Sequence, residues 1–392
     1  MISKEYDYIF LGAGCASLSI IMRMIDSKKF IQKKILLLEK KPKIKNDRTW
    51  CFWEREKSFF EDIVFKKWSN LFFKTGTETV NLAMEDYQYK MVRGIDFYNK
   101  CFSLINKQEN IDVVYGQISF ETDEYNLLKI KIDNEEIIPG GNTIVFNSII
   151  TKPKQLKDNF YLLQHFKGWI IETEEDFFNA GDATLMDFSV AQTHGTTFVY
   201  VLPLSSKKAL VEYTVFSEKL LDKDNYDIAL TSYLNKLPGL KNYKIEEEEF
   251  GIIPMNNASY PFYKNGMYFI GTAGGQTKPS TGYTFRFIQK QSEKIVEELI
   301  SKGTLSKERK MRKRFFFYDS TLLHILAKNL LPGKTIFSFL FKKNKASRIF
   351  KFLDNETSVA EEIKLLNSLP KKVFIKAGFA EFKKIFFVKK KA

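Results

Sequence analysis

A carboxylate set inside an apolar strand is the first group in this chain that could do chemistry. Glu212 lies in Ala209-Leu210-Val211-Glu212-Tyr213-Thr214. Alternation puts it on the face of Leu210, opposite Val211 and Tyr213. An apolar site disfavours the charged form, so the proton is kept to higher pH, which suits a general acid at neutral pH. At a strand edge the same residue would simply face water, and the run alone leaves both readings open. Asp187, after Leu185-Met186, is a second acid of this kind. Asp354 and Glu356 put two acids on one turn of Phe352-Leu353-Asp354-Asn355-Glu356-Thr357, where they are candidate catalytic groups or helix N-terminal charges.

A second set of residues could cradle a dinucleotide. Tyr8-Ile9-Phe10-Leu11 is a short apolar strand, Gly12-Ala13-Gly14-Cys15-Ala16-Ser17 follows it, and a helical pattern runs from Leu18 to Ile25. A second apolar run, Ile35-Leu36-Leu37-Leu38, ends on Glu39. This is the order of a dinucleotide-binding βαβ unit. Gly12 permits the tight turn, and Gly14 lets backbone approach a pyrophosphate at the positive end of the helix. Ser17 is small enough for close helix–strand packing, and Glu39 stands where an acid can meet an adenosine ribose. Further on, Gly271, Gly274, Gly275, Pro279, Thr281 and Gly282 punctuate a loop between the strand Met267-Tyr268-Phe269-Ile270 and a helix from Thr284 to Lys302. That loop offers a second set of backbone amides and a second positive helix end. Asp47-Arg48 could pair a charged group with cofactor phosphates. Trp50 and Trp53 beside it are either core or the aromatic lining of a site for a cationic intermediate.

The elements around these residues suggest a discontinuous domain. A helix from Asp96 to Leu104, a strand at Val113-Val114-Tyr115, a meander over 117–138 and a buried strand at Thr143–Asn147 precede a stretch dominated by strands from Tyr161 to Tyr213. A helix over 217–237 stops near Pro238-Gly239. The expected fold is α/β: a Rossmann-like nucleotide-binding domain from 1–70, 94–150 and 251–302, a mostly antiparallel substrate sheet from 71–93 and 151–250, and a helical region over 303–392. Such interleaving suits a flavoprotein better than a plain dehydrogenase.

Charge is unevenly placed along the 392 residues. The net charge is +14, yet residues 301–392 carry 23 Lys and Arg against seven Asp and Glu. That segment is also rich in Phe, Leu and Ile, but no run reaches the roughly 18 apolar residues of a spanning helix. Clusters such as Ile336-Phe337-Ser338-Phe339-Leu340-Phe341, followed by Lys342-Lys343, read either as a segment lying on an anionic membrane surface or as the solvated face of a helical subdomain. No nucleic-acid module is recognisable. The three cysteines and three histidines are scattered, which predicts no disulfide framework and no metal site. With no secretory signal at the start, the expected location is cytoplasmic and peripheral to a membrane.

Several segments together resemble the bacterial lycopene β-cyclases: Gly12–Ser17, Asn46-Asp47-Arg48-Thr49-Trp50-Cys51-Phe52-Trp53, Met186-Asp187-Phe188, Phe198–Ser205, Leu210–Thr214, Gly271–Phe285 and Phe352–Ser358. Asn355 interrupts the family's acidic C-terminal motif, and Phe188-Ser189 replaces the Ala-Thr that some members carry. The resemblance implies a flavoprotein of the hydroxylase and geranylgeranyl-reductase type, holding reduced FAD with NAD(P)H as electron source. It implies a redox-neutral closure of β-ionone rings on the ψ-ends of lycopene, giving γ-carotene and then β-carotene. Its partners would be lycopene and the monocyclic carotene, an anionic membrane face and other carotenoid enzymes. Two other readings remain at this level: a redox flavoprotein acting as a carotenoid or prenyl reductase or desaturase, and a non-enzymatic membrane-peripheral binding protein.

Overall fold

The computed structural model describes residues 5–125, 127–150, 159–308 and 313–387. Four apolar runs form the centre of a six-stranded sheet. Tyr8–Leu11 pairs in parallel with Ile35–Glu39 on one side and Ile144–Asn147 on the other, with Ile111–Tyr115 and Met267–Phe269 beyond them; Tyr263–Lys264 closes one edge antiparallel. These strands are buried on both faces because helices Cys15–Ser27, Gly94–Ile105 and Phe285–Lys302 cover one side, and the meander Ile118–Thr122, Leu128–Ile132 and Glu135–Ile137 the other.

The second large sheet has seven strands. Its order is Tyr243–Asn256, Tyr161–Thr173, Lys208–Ser217, Thr196–Pro203, Asp182–Asp187, Asn70–Lys74 and Thr79–Leu82. All its pairings are antiparallel except Asp182–Asp187 with Asn70–Lys74. One face carries Val199, Val211, Tyr213 and Val215 under the helix Lys223–Leu234. The other carries Phe198, Leu202, Leu210 and Phe216.

Two boundaries expected from the sequence move. Gln88–Arg93 does not join the seven-stranded sheet: its backbone pairs with Thr49–Glu54 and Lys66–Trp68 in a separate three-stranded sheet. Tyr243–Asn256 is one unbroken strand paired along its length with Tyr161–Thr173, so no division falls at 250. The helix expected over 217–237 is shorter, Lys223–Leu234, because residues up to Ser217 extend the preceding strand.

The basic C-terminal region is helical, as five α-helices from Lys313–Ala327 to Lys371–Phe382 and a final π turn at Lys383–Phe387 among the described residues. Its apolar cluster at 336–341 is a correction to the membrane-surface reading. Ile336, Phe337, Leu340 and Phe341 are buried against Phe188, Phe198 and Phe216 of the seven-stranded sheet. A large sheet face must be covered, and this helix covers it. The lysines Lys389, Lys390 and Lys391 lie outside the described residues. No helix among the described residues is long and apolar enough to cross a membrane.

Candidate functional site

The two glycine turns meet. Gly271 adopts φ +60, and a Cβ there would stand 2.8 Å from Ala16 Cβ, so only glycine allows this contact. Together they border one cavity of about 390 Å³, lined by Gly14, Cys15 and Ala16 from the first turn and by Gly271, Thr272, Thr281 and Gly282 from the second. Arg48 lines it from the loop before the strand Thr49–Glu54, Trp50 from that strand, and Tyr200, Glu212 and Glu249 from the seven-stranded sheet.

The backbone offers this cavity positive charge. The helix Cys15–Ser27 begins at Gly14 with no side-chain cap and no acid in its first turn. The helix Phe285–Lys302 begins at Thr284 in the same way. Uncapped N–H groups at a helix start attract anions, and two such ends open on one space beside Arg48. Thr281 Oγ1 and Gln164 Oε1, both on the lining, are buried without a hydrogen-bond partner among the described residues. Such orphaned atoms mark a place where a polar ligand belongs. The residues present therefore fit a dinucleotide bearing a diphosphate and a polar ring.

Glu212 lies on the face that the alternation indicates, with Leu210. Its opposite neighbour across the sheet is Tyr200 on one side and Gly168 on the other, and Gly168 is in turn opposite Glu249. One cross-strand row thus reads Tyr200, Glu212, Gly168, Glu249. The Glu212 carboxyl is pushed well above the ordinary range by burial, reinforced by the Glu249 charge, while a hydrogen bond donated by Thr214 Oγ1 at 2.8 Å opposes this. Glu249 is raised by burial too, while the hydrogen bond it accepts from Thr49 Oγ1 at 2.8 Å opposes this. Burial disfavours charge on both carboxyls, more strongly on Glu212. Sequence reasoning passed over Glu249 because the run Glu246–Glu249 looks like a solvated face. The residue signalling it is Gly168, the one position in the row with no side chain.

The other residues singled out from the sequence divide. Gly12 lies beneath the lining, its N–H bonded to Leu38 O, and Ser17 is fully buried, its Oγ 3.3 Å from Ser148 Oγ. Glu39 does not border the cavity. Its carboxylate accepts from the N–H of Ala13 at 2.6 Å and of Lys40 at 2.8 Å, which braces the glycine turn. Gly274, Gly275 and Pro279 face a second, larger cavity of about 880 Å³, together with Asp354 and Glu356.

The other candidate acids, Asp354, Glu356 and Asp187, lie away from Glu212, each with its own partners. Asp354 is clamped by Arg286 Nε at 2.8 Å, and the same guanidinium reaches Glu54. Glu356 pairs with Lys290 at 2.6 Å. Asp187 accepts from Tyr233 Oη and from its own loop at Ser189 N, both 2.9 Å, on the face covered by the helix Lys223–Leu234. Trp53 is core, stacked on Phe350, whereas Trp50 borders the cavity against Phe285.

Residues 7–377 match the family described as lycopene cyclase protein. The chain belongs to that family. It is 23% identical to the lycopene β-cyclase of Pantoea ananas over 297 residues, which is 71% of each chain. It is 31% identical to the chloroplastic lycopene β-cyclase of Nicotiana tabacum over 128 residues, a match spanning only 25% of the tobacco protein. Among solved structures, a geranylgeranyl bacteriochlorophyll reductase-like protein from Thermoplasma acidophilum superposes with TM-score 0.54 at 13% identity, covering 97% of this chain and 99% of that one. The likeness shows the fold expected for this chain: α/β, with a Rossmann-like parallel sheet, a mostly antiparallel sheet and C-terminal helices.

Proposed function

We propose that this lycopene cyclase family member closes β-ionone rings on the ψ-ends of lycopene, forming γ-carotene and then β-carotene. The observation that carries the reading is the meeting of both glycine turns and the half-buried Glu212 on one cavity. FAD would be held with its diphosphate at the start of the helix Cys15–Ser27, near Arg48, and its ring by the Thr281–Gly282 backbone and the start of the helix Phe285–Lys302. When bound and reduced, with NAD(P)H as reductant, FAD supplies an electron-rich ring that stabilises positive charge.

The terminal alkene of a polyene has no polar handle, so the reaction must begin with a proton. Glu212 holds that proton at neutral pH because burial keeps it there. Its transfer to C2 leaves a cation at C1. The C5=C6 pair attacks C1, moving the charge to C5, and loss of the C6 proton forms the ring double bond. Trp50 and Tyr200 line the same cavity, where aromatic rings would stabilise the cationic intermediate. One proton enters and one leaves, so mass is conserved. A peripheral position on an anionic membrane would let the polyene enter without crossing water.

The test is expression in a lycopene-accumulating bacterium, with the pigments separated and weighed. The expected product is a cyclic isomer of unchanged mass. A product differing by hydrogen would instead identify a reductase or desaturase.

A further inference from the structure

Glu249 has no part in the reaction as stated above, yet the fold brings it to Glu212 in an unusual way. The two residues stand on strands separated by a third, two strand spacings or roughly 9.5 Å apart. Between them is Gly168, opposite both. A Cβ at 168 would lie 3.0 Å from Glu249 Cγ, 3.1 Å from Glu249 Oε1 and 2.9 Å from Leu210 Cδ1. The missing side chain leaves room in this row for the Glu249 side chain. The outer oxygens are anchored: Thr214 Oγ1 donates to Glu212 Oε1 and Thr49 Oγ1 to Glu249 Oε2, each at 2.8 Å. Glu249 Oε1 is buried with no hydrogen-bond partner among the described residues. Both residues border the same cavity. Lys167 and Glu248, their neighbours in sequence, pair with each other on the other side of the sheet at 3.1 Å and leave the row alone.

We propose that Glu212 and Glu249 act as one carboxyl pair across Gly168, with Glu212 as the acid and Glu249 as the base. This deepens the cyclase reading and rests on it. The Glu212 O–H bond breaks as the C2–H bond forms. Later the C6–H bond breaks, its electrons become the C5=C6 double bond, and the proton goes to Glu249. The proton then passes back along the Glu249–Glu212 hydrogen bond, and the pair is ready for the second end. Nothing is oxidised or reduced. The pair keeps one negative charge in the resting state, beside the place where the carbocation develops.

The experiment uses the full chain loaded with reduced FAD and lycopene in vesicles. In parallel, the infrared C=O stretch of protonated carboxyl is titrated in wild type, Glu212→Gln, Glu249→Gln, Glu249→Asp and Gly168→Ala. Glu212→Gln is expected to remove the band. Glu249→Gln is expected to keep it but lower its midpoint by about one pH unit, since a neighbouring anion is gone. Ring formation should fall about 100-fold or more in Glu249→Gln, with partial rescue in Glu249→Asp. Gly168→Ala retains both acids and should lose activity by wedging them apart. An unshifted midpoint, or wild-type turnover in Glu249→Gln, overturns the pair. A wild-type enzyme that forms no rings removes the cyclase reading instead, while the band midpoints still decide whether the proton is shared.

Discussion

A glutamine at position 212 keeps the shape of the side chain and loses its proton. Glu212→Gln should therefore retain flavin binding and reduce ring formation by about 100-fold or more, as read from the lycopene to β-carotene ratio of extracted pigments. A second residue sets acid stability. His165 is fully buried with its pKa lowered to about 4 by burial. Ser217 Oγ donates to Lys219 O, so it accepts from His165 Nε2–H, and Nδ1 accepts from Tyr226 Oη at 2.6 Å. The neutral ring is thus fully satisfied. The unfolded histidine takes a proton below about 6.5 and the folded one does not, so stability should fall as pH drops from that value towards 4. Thermal melts across this window should show the loss in wild type and a smaller one in His165→Gln. Cys15 is a third case: although it opens a helix, burial pushes its thiol up to about 12, so it should resist alkylation at neutral pH in the folded protein. At this scale the sequence disclosed Glu212, because period-2 alternation is local. It could not disclose Glu249, whose partner is two strands away across a register that shifts between Ile170 and Ile171.

Between elements, ionic clamps fix the second glycine loop. Lys278 is buried and pairs with Asp319 of the helix Lys313–Ala327 at 2.9 Å, while also donating to Asn355 Oδ1 at 2.8 Å. Ser280 Oγ donates to the same Asp319 at 2.6 Å. Asn355 has φ +60, a conformation asparagine tolerates better than aspartate's bulkier replacements would. The interruption of the acidic motif is therefore a loop anchor. Lys278→Met should cost about 3–5 kcal/mol in urea unfolding because it strands a buried Asp319 charge. Lys278→Met with Asp319→Leu should recover much of that loss. The βαβ unit and the meander were legible because apolar runs and turn residues are contiguous. The fate of Asp354, Glu356 and Asp187 was not, since Arg286, Lys290 and Tyr233 reach them from distant segments.

For the molecule as a whole, the covering of the seven-stranded sheet by C-terminal helices leaves one apolar stripe outside. Ile375, Phe379 and Phe387 are 69%, 62% and 74% exposed, and Lys371, Lys372, Lys376 and Lys383 flank them. If this stripe meets a membrane, Phe379→Asp with Phe387→Asp should reduce sedimentation with anionic vesicles at least tenfold while leaving thermal stability in place. Wild-type binding should also weaken as salt rises, because each lysine contributes about 1 kcal/mol through a screened interaction. Basic composition alone could not separate residues 336–341 from this stripe, since both interleave phenylalanine with lysine; only burial does.

The union of Gly271 with Ala16 has a consequence for how the protein is born. A ribosome releases the first βαβ unit early, but the facing turn and the helix that follows it arrive more than 230 residues later. Until then the nascent chain has half a cradle and an uncovered sheet, the kind of species that aggregates or awaits chaperones. Truncation ahead of Phe285 should accordingly yield no trace of yellow protein, however well the early strands assemble.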